Sequence, residues 1–522
     1  MVDGPFEVVF EFNELNLLSF WPHPCIFNNW RPGESLIVDV KFFGLLYISG
    51  LLLMFTGCQS SSIQNLYSSN VSSASGASGT IANSTLICDI TKYGAKGNST
   101  TLNTTYIQAA INDCAAKGGG TVLVPVDAYG GVFISGTVTL KSHLTLSVAS
   151  GAKIKGSLND NDYPTVISDW NNNQVRYGCQ KALVYADKVT DVTIEGGGTI
   201  DGSGDENPNW RNLTATSPDL SGTRRPMGVF LAESSNVTVQ NITILGAGFW
   251  TLVNLENDGV HIDNVTINSN DPAAFQRDGM DVVDSKNVLI ENSTVNSEDD
   301  SICLKTGLPP SDSKSGVANV TVKNSKVLGS YAANGLKLGT ATTASFNNIL
   351  FENITVANVA QAAMAVESVD GGAISQITYQ NIQVTKNGAL AYIILGARET
   401  AIGTINGVYF NNITASKFTR QWGSAISGSI INGKAYEPEH IIFDNVHVTA
   451  LGGLSSIPAA PAEFPYDTSQ YPDPHNWWDL PTFGYYIRHV NNIQFKDCTT
   501  TVSPRDARPA FDVTSDVTGV GF

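Results

Sequence analysis

The chain has 522 residues, of which 42% are hydrophobic and 15% charged, a balance typical of a folded rather than a disordered protein. Lys and Arg number 30 against 47 Asp and Glu, and the resulting net charge of −17 argues against nonspecific nucleic-acid binding, which needs a basic face. A local basic cleft for an acidic polysaccharide is still compatible with this charge.

The N-terminal region contains the segment most typical of a membrane-entering sequence. Lys41 is followed by about sixteen apolar residues and then by Thr56-Gly57-Cys58, which is short for a transmembrane helix but fits a signal-peptide core. Small residues before a cysteine resemble a bacterial lipobox. We therefore expect residues 40–58 to be a lipoprotein signal peptide and Cys58 to carry a lipid anchor. A buried apolar helix or a simple anchor is the alternative.

The regions on either side of this segment have different expected roles. Residues 1–39 are expected to be an artefact of start-codon assignment, with translation beginning at Val40. Residues 59–84 are rich in Ser and Asn and predict a flexible linker. Gln59 after the cysteine favours an outer-membrane over an inner-membrane lipoprotein, so we expect a cell-envelope or periplasmic location.

Residues 85–522 are predicted to form one domain built from a repeat. An apolar–polar–apolar triplet, an Asn or Asp, and a second triplet recur, as in Asn236-Val-Thr-Val-Gln-Asn-Ile-Thr-Ile and Asn348-Ile-Leu-Phe-Glu-Asn-Ile-Thr-Val. Copies start roughly 23 to 33 residues apart, and the two-residue alternation is typical of strands. Asn suits the bends because it tolerates left-handed backbone. The pattern predicts an all-β parallel β-helix.

Two further elements and the cysteines complete this prediction. Residues Thr105 to Lys117 have helical spacing and are expected to form an N-terminal capping helix. The stretch from Leu451 to about Pro481 is expected to be an inserted, functional loop. Outside the N-terminal region the number of cysteines is odd, so at least one thiol is free or paired outside the chain: Cys88, Cys114, Cys179, Cys303 and Cys498.

Two acidic clusters lie about one turn of the coil apart. The first contains Asp278 and Asp281, and the second contains Glu298, Asp299 and Asp300. Strands on adjacent turns lie about 4.8 Å apart, so these carboxylates are expected to approach one another. Paired carboxyl groups suit glycoside hydrolysis, in which one donates a proton and another activates water. A calcium site or a solvated acidic turn is the alternative.

Several motifs make the chain similar to a known family. From about Cys88 onward it resembles glycoside hydrolase family 28, the polygalacturonases and their relatives. The resemblance rests on Tyr93-Gly-Ala-Lys-Gly, Ile194-Glu-Gly-Gly-Gly-Thr-Ile-Asp-Gly, Phe249-Trp-Thr-Leu, Asp278-Gly-Met-Asp and Asp299-Asp300. It implies a right-handed, single-stranded parallel β-helix. It also implies a divergent bacterial member that hydrolyses pectic polysaccharides or oligosaccharides.

The resemblance also implies roles for the aspartates. Asp299 corresponds to the general acid, while Asp278 and Asp300 correspond to the residues that position and deprotonate the attacking water. The product would have inverted anomeric configuration. No cofactor and no metal is implied, and a monomer is expected.

The chain departs from the family at two positions. Asn334 stands where the family commonly has a histidine, and Glu367 aligns with the lysine of an Arg-Ile-Lys segment that grips a substrate carboxylate. Glu367 is therefore expected to repel a galacturonate carboxylate. We expect rhamnogalacturonan-type or branched substrates to be preferred over plain oligogalacturonate.

Other residues are expected to line the substrate cleft. Lys305 and Lys337 are the nearby cations that could contact an anionic substrate, with exposed strand lysines as the alternative. His475 and Trp477 are expected to wall one end of the cleft, with a packed aromatic cap as the alternative. A β-helix polysaccharide lyase and a noncatalytic glycan-binding surface protein remain alternative functions.

Overall fold

The computed structural model describes residues 86–167, 169–213, 224–398, 401–461, 471–472 and 480–522. The predicted signal peptide, the linker, His475 and Trp477 lie outside these residues. Within these ranges no helix has both the length and the apolar character needed to cross a membrane.

The alternating sequence forms a right-handed parallel β-helix, which confirms the predicted fold. One face is a 12-stranded parallel sheet. Its strands are Val138–Thr139, Ala182–Asp187, Met227–Ala232, Leu252–Leu255, Met280–Val283, Ile302–Thr306, Leu336–Thr342, Ala362–Ser368, Ala389–Leu395, Ser424–Ser427, Tyr485–Arg488 and Phe511–Val513.

Other strands of the same coils form a 22-stranded parallel sheet. Its strands are Ile87–Asp89, Asn98–Leu102, Gly120–Val124, Val132–Ser135, Leu144–Val148, Lys153–Gly156, Thr190–Glu195, Thr199–Asp201, Ser235–Gln240, Thr243–Leu245, Asp258–Asp263, Thr266–Ser269, Lys286–Glu291, Thr294–Ser297, Val317–Lys323, Lys326–Ser330, Phe346–Ala357, Ala373–Thr385, Thr404–Ser416, Glu439–Leu451, Asn491–Lys496 and Thr499–Ser503. A small antiparallel pair joins Ser429–Ile431 to Lys434–Tyr436.

Register aligns equivalent residues of successive coils, so that the inward side chains form columns. Val237 pairs with Val260, which in turn pairs with Val288, and all three are buried. Fully burying such a side chain stabilises the fold by about 1.5–3 kcal/mol. Aromatic rings form a second column with centroid separations of 4.8, 5.1, 4.5 and 4.8 Å: Phe351, Tyr379, Phe410, Phe443 and Phe495.

The asparagines between the triplets form the bends that the sequence predicts. Asn353, Asn381 and Asn412 have positive φ angles of 55°, 55° and 51°. Each also donates its side-chain amide to the equivalent asparagine of the preceding coil, at 3.1, 3.1 and 2.8 Å. The asparagine column therefore both turns the chain and ties neighbouring coils together.

The helix Thr104–Ala116 covers the N-terminal end of the β-helix, one residue earlier than predicted. Its inward face is apolar, and a disulfide joins Cys88 to Cys114. Cys179, Cys303 and Cys498 are free thiols, which confirms that at least one cysteine is unpaired. The short helices are Ile90–Tyr93, Asp160–Asp162, Asn173–Tyr177 and Pro208–Trp210.

Candidate active site

Three of the predicted site residues lie at the start of successive strands in the 12-stranded sheet. The amide of Gly279 donates to the carbonyl of Asp300, and that of Ser301 donates to the carbonyl of Asn334, both at 2.9 Å. Asp278, Asp300 and Asn334 therefore stand on three consecutive coils. This stacking is what the spacing of the acidic clusters by about one turn of the coil predicts, since coils lie about 4.8 Å apart.

Asp300 is buried and is stabilised as a carboxylate. Its Oδ1 accepts hydrogen bonds from the backbone and side-chain amides of Asn334, both at 3.0 Å, and its Oδ2 lies 3.0 Å from Lys337 Nζ. Burial favours the neutral acid, but the charges of Lys337 and Lys305 and the Asn334 hydrogen bond outweigh it and lower the pKa of Asp300. Asn334 is thus occupied in holding Asp300.

Asp299 has the opposite environment. Burial, together with the nearby charges of Asp278 and Asp300, raises the pKa of Asp299 well above its usual value. Asp299 Oδ1 accepts a hydrogen bond from the Asp300 amide at 2.8 Å, and Asp299 is only half-buried. Asp299 therefore favours the protonated form, and it is less deeply buried than Asp278 and Asp300.

Lys305 lies beneath the cluster and pairs with two aspartates. Its Nζ is 2.6 Å from Asp278 Oδ2, hydrogen-bonds to Asp281, and lies 4.4 Å from the centre of the Trp250 ring. Because its side chain is 8% exposed, the alternative of an exposed strand lysine is wrong. Its contacts with Asp278 and Asp281 indicate a role in neutralising the acidic cluster rather than in direct contact with substrate.

Asp278 and Asp281 share this single cation. Burial raises the pKa of Asp278 well above its usual value and that of Asp281 to about 6, against the opposing charge of Lys305. Ligand atoms of Asp278, Asp281 and Cys303 lie within 4.8 Å of one another and form the group best suited to a metal among the described residues. Lys305 already supplies positive charge there.

Lys337 joins the aspartates to Glu367. Its Nζ is 3.7 Å from Glu367 Oε2, which also accepts a hydrogen bond from Thr340 Oγ1 at 2.7 Å. The Tyr471 hydroxyl in turn donates to Thr340 Oγ1 at 2.5 Å, since the single hydroxyl hydrogen of Thr340 is directed at Glu367. Glu367 is fully buried and Lys337 offsets part of its charge, while the expected repulsion of a galacturonate carboxylate stays a prediction.

One side of the site is closed by what we term the cover segment, residues 166–181, described except for residue 168. Val175 and Cys179 of this segment pack on outward-facing side chains of the 12-stranded sheet, including Phe230 and Val253, all fully buried. Tyr177 of this segment accepts a hydrogen bond from Gln276, which lies two residues before Asp278 in the chain. The cover segment therefore reaches the acidic cluster.

Sequence reasoning missed several residues that surround the aspartates. Trp250 stands one coil before Asp278, and the centre of its ring lies 4.4 Å from Lys305 Nζ. Arg398 forms a two-point ion pair with Asp370 and lies over the Tyr471 ring. Trp250 could have been found, since it lies just before the strand Leu252–Leu255, whereas Arg398 lies in a connection without repeat pattern.

The fold and this cluster define a parallel β-helix protein with neighbouring carboxyl groups of opposite protonation preference, an arrangement suited to acid–base chemistry. Residues 114–309 match the family described as "Glycosyl hydrolases family 28". The chain is 25% identical over 367 residues to an endo-polygalacturonase of Pectobacterium carotovorum subsp. carotovorum, covering 68% of this chain and 86% of that protein. These matches confirm the predicted resemblance to the family.

Two other relatives show how far the similarity extends. An exo-poly-alpha-D-galacturonosidase of Dickeya chrysanthemi is 34% identical over 143 residues, 26% of this chain and 22% of that protein. The crystal structure of an exopolygalacturonase from Thermotoga maritima superposes with a TM-score of 0.63 at 19% identity, covering 80% of this chain and 92% of that one. At that identity the structural match supports the fold alone.

Proposed function

We propose that the protein hydrolyses glycosidic bonds of pectic polysaccharides or oligosaccharides, with inversion at the anomeric carbon. The observation that carries this proposal is the contrast between two adjacent carboxyl groups, because Asp299 favours the proton and Asp300 favours the carboxylate. Environments that push two pKa values apart in this way assign the acid and the base.

In the proposed step Asp299 gives its proton to the glycosidic oxygen as the bond from that oxygen to the anomeric carbon breaks. Asp300 accepts a proton from a water molecule, whose oxygen forms the new bond to the anomeric carbon from the opposite face. Asp278, held by Lys305 at 2.6 Å, helps to position this water. Asn334 and Lys337 keep Asp300 charged and fixed.

We further propose that the enzyme acts at the ends of pectic chains. A polymer that crosses the coils over the 12-stranded sheet would meet the cover segment directly beside Asp278, where Tyr177 contacts Gln276. The outward face of the earlier strands is buried under this segment. Only a chain terminus would then fit at this side of the cluster.

The substrate class and the cellular location are further parts of the proposal. Because Lys337 offsets Glu367, both galacturonan and rhamnogalacturonan-type chains stay candidate substrates. We retain a lipid anchor at Cys58, a cell-envelope location and a monomeric state as proposals from the sequence.

Replacement of Asp299 tests the mechanism. Asp299→Asn keeps the shape of the side chain but cannot donate the proton, so we expect kcat on pectic oligosaccharides to fall about 10²–10⁴-fold with an unchanged fold. Reducing-end release and circular dichroism measure the two effects. Activity above about a tenth of wild type would reject Asp299 as the acid.

Product chemistry separates the remaining alternatives. Fresh product analysed by NMR should show the inverted anomer, and a retained configuration would reject the mechanism. Release of unsaturated uronides from saturated substrate would instead indicate a lyase. Glycan binding without release of reducing ends would indicate a noncatalytic binding protein.

A further inference from the structure

Three acidic residues follow the carboxyl ends of three successive strands of the 12-stranded sheet. The catalytic aspartates lie at the opposite, amino-terminal ends of the strands. Glu233, Glu256 and Asp284 directly follow the strands that end at Ala232, Leu255 and Val283. All three have positive φ angles, of 44°, 55° and 44°. This conformation directs consecutive coils into equivalent turns, so the three carboxylates form a column.

Lys314 extends from the connection at residues 307–316 and bridges this column to the cover segment. Its Nζ lies 2.8 Å from Glu233 Oε2, 2.7 Å from Glu256 Oε2 and 3.2 Å from Asp169 Oδ2 of the cover segment. The Glu256 side chain has no exposed surface, and those of Glu233 and Asp169 are 10% and 13% exposed. One ammonium group therefore compensates three largely buried carboxylates.

Polar contacts next to Lys314 join the same parts of the molecule. The Asn172 side chain of the cover segment donates to Glu256 and Asp284, each at 3.0 Å. The Asn173 amide donates to the carbonyl of Gly307 at 3.0 Å, and the Gly307 amide donates to Asp284 at 2.7 Å. The cover segment, the connection and the strand ends therefore meet at a single polar junction.

Without Lys314, Glu256 and Asp169 would lose their ion-pair partner, while Glu233 would keep Lys188 at 3.0 Å. Glu233 and Glu256 belong to the β-helix, whereas Asp169 belongs to the cover segment, so their repulsion would act to separate the two. Lys314 is itself 40% exposed, but Glu256 has no exposed surface, and a buried carboxylate that loses its cation is destabilising because it cannot be solvated. The cover segment is the part that these charges would displace, because its described residues contain one short helix, Asn173–Tyr177, and no strand of either sheet.

We infer that Lys314 is a specificity-determining residue, which holds the cover segment over the sheet and thereby confines hydrolysis to chain ends. This inference rests on the proposed function. Lys314 contacts none of the catalytic residues, and it acts through the position of the cover segment. Its loss should change where along a chain cleavage occurs, while the chemistry on short substrates continues.

The first experiment follows the cover segment by hydrogen exchange in the full-length protein. In Lys314→Met the amides of residues 171–179 should exchange at least about tenfold faster than in wild type, because local opening governs exchange. Lys314→Arg should retain protection. Lys323→Met is the matched control, since Lys323 pairs with Glu291 at 3.2 Å on the 22-stranded sheet, with 33% of its side chain exposed.

The second experiment compares viscosity loss with reducing-end release on long homogalacturonan and on a rhamnogalacturonan-type chain, using whichever one wild type cleaves. Wild type should release short products while viscosity falls slowly. Lys314→Met should lower viscosity at least about threefold more per bond cleaved, with kcat on a short oligosaccharide unchanged within about twofold, as expected for a residue outside the chemical step. Lys323→Met should behave like wild type.

The inference is overturned if Lys314→Met leaves exchange of residues 171–179 unchanged, or if exchange rises but the cleavage pattern does not change.

If Lys314→Met does not fold, Asp169→Asn provides the test, because it removes only the charge of the cover segment and leaves Glu233 and Glu256 paired. It should produce a smaller change in the same direction, and no change in exchange would count against the inference. If the wild-type protein cleaves neither polymer, the proposed function is rejected. The exchange experiment would still test whether Lys314 holds the cover segment.

Discussion

At the scale of single residues, the site separates two neighbouring aspartates by their surroundings. Asp299 lies near the charges of Asp278 and Asp300, while Asp300 lies against Lys337 and receives two hydrogen bonds from Asn334. The side chains are identical, so in the proposed mechanism their surroundings alone make Asp299 the acid and Asp300 the base. Lys337 has the larger part in this contrast, because its charge lowers the pKa of Asp300 more than the charge of Lys305 or the Asn334 hydrogen bond does.

The sequence was sufficient to predict the aspartates, but not the arrangement of the charges around them. The pair Asp299-Asp300 and its spacing from Asp278 can be read directly from the chain. That Lys337 would lie 3.0 Å from Asp300 and also reach Glu367 depends on which face each strand presents after its bend. A shift of one residue in register would turn both side chains to the opposite face.

Replacement of Lys337 should move the pH dependence of catalysis. Lys337→Met removes the charge that lowers the pKa of Asp300, so that pKa should rise. Because the base must be ionised, the acidic limb of the kcat/KM profile should move to higher pH. Lys337→Arg should largely restore the wild-type position of the acidic limb. Glu367→Gln removes the negative charge beside Lys337 and should not move the limb to higher pH. An acidic limb that stays in place in Lys337→Met would reject Asp300 as the base.

At the scale of elements, the asparagine bends combine two stabilising effects. Asn381 has a φ of 55°, donates to Asn353 at 3.1 Å and accepts from Asn412 at 2.8 Å. The left-handed conformation is unfavourable for most residues with a β-carbon, and asparagine tolerates it. These bends were predictable, since the Asn recurs between alternating triplets and each contact repeats one coil later.

Replacement of Asn381 should separate these two effects. Asn381→Ala loses both side-chain hydrogen bonds and places alanine in left-handed backbone, so we expect the free energy of unfolding to fall by about 1–3 kcal/mol. Asn381→Gly loses the same hydrogen bonds but accepts the backbone conformation, and should lie between alanine and wild type. Urea denaturation of the three proteins makes the comparison. Equal stability of the alanine and glycine variants would show that backbone conformation contributes little at this bend.

At the scale of the whole molecule, a regular solenoid supports irregular segments that shape the site. The repeat predicts the coils because each must bury the same apolar column. It does not predict the cover segment, whose Val175 and Cys179 pack on Phe230 and Val253 without any periodic pattern. Contacts of this kind depend on the three-dimensional surface that the coils have already formed, and so no local sequence signal indicates them.

The overall charge should influence how the enzyme meets its substrate. The chain carries a net charge of −17, and the lysines nearest the aspartates are already paired with carboxylates. A pectic chain rich in uronate would therefore be repelled at long range, and added salt should weaken this repulsion. Raising the ionic strength from 0.01 to 0.15 M shortens the screening length from about 30 to about 8 Å, so we expect kcat/KM on an anionic oligosaccharide to rise about two- to fivefold. A methyl-esterified, neutral oligosaccharide that is also cleaved serves as the control and should show little change. A fall in kcat/KM with salt on the anionic substrate would mean that attraction by a local basic surface outweighs the net charge.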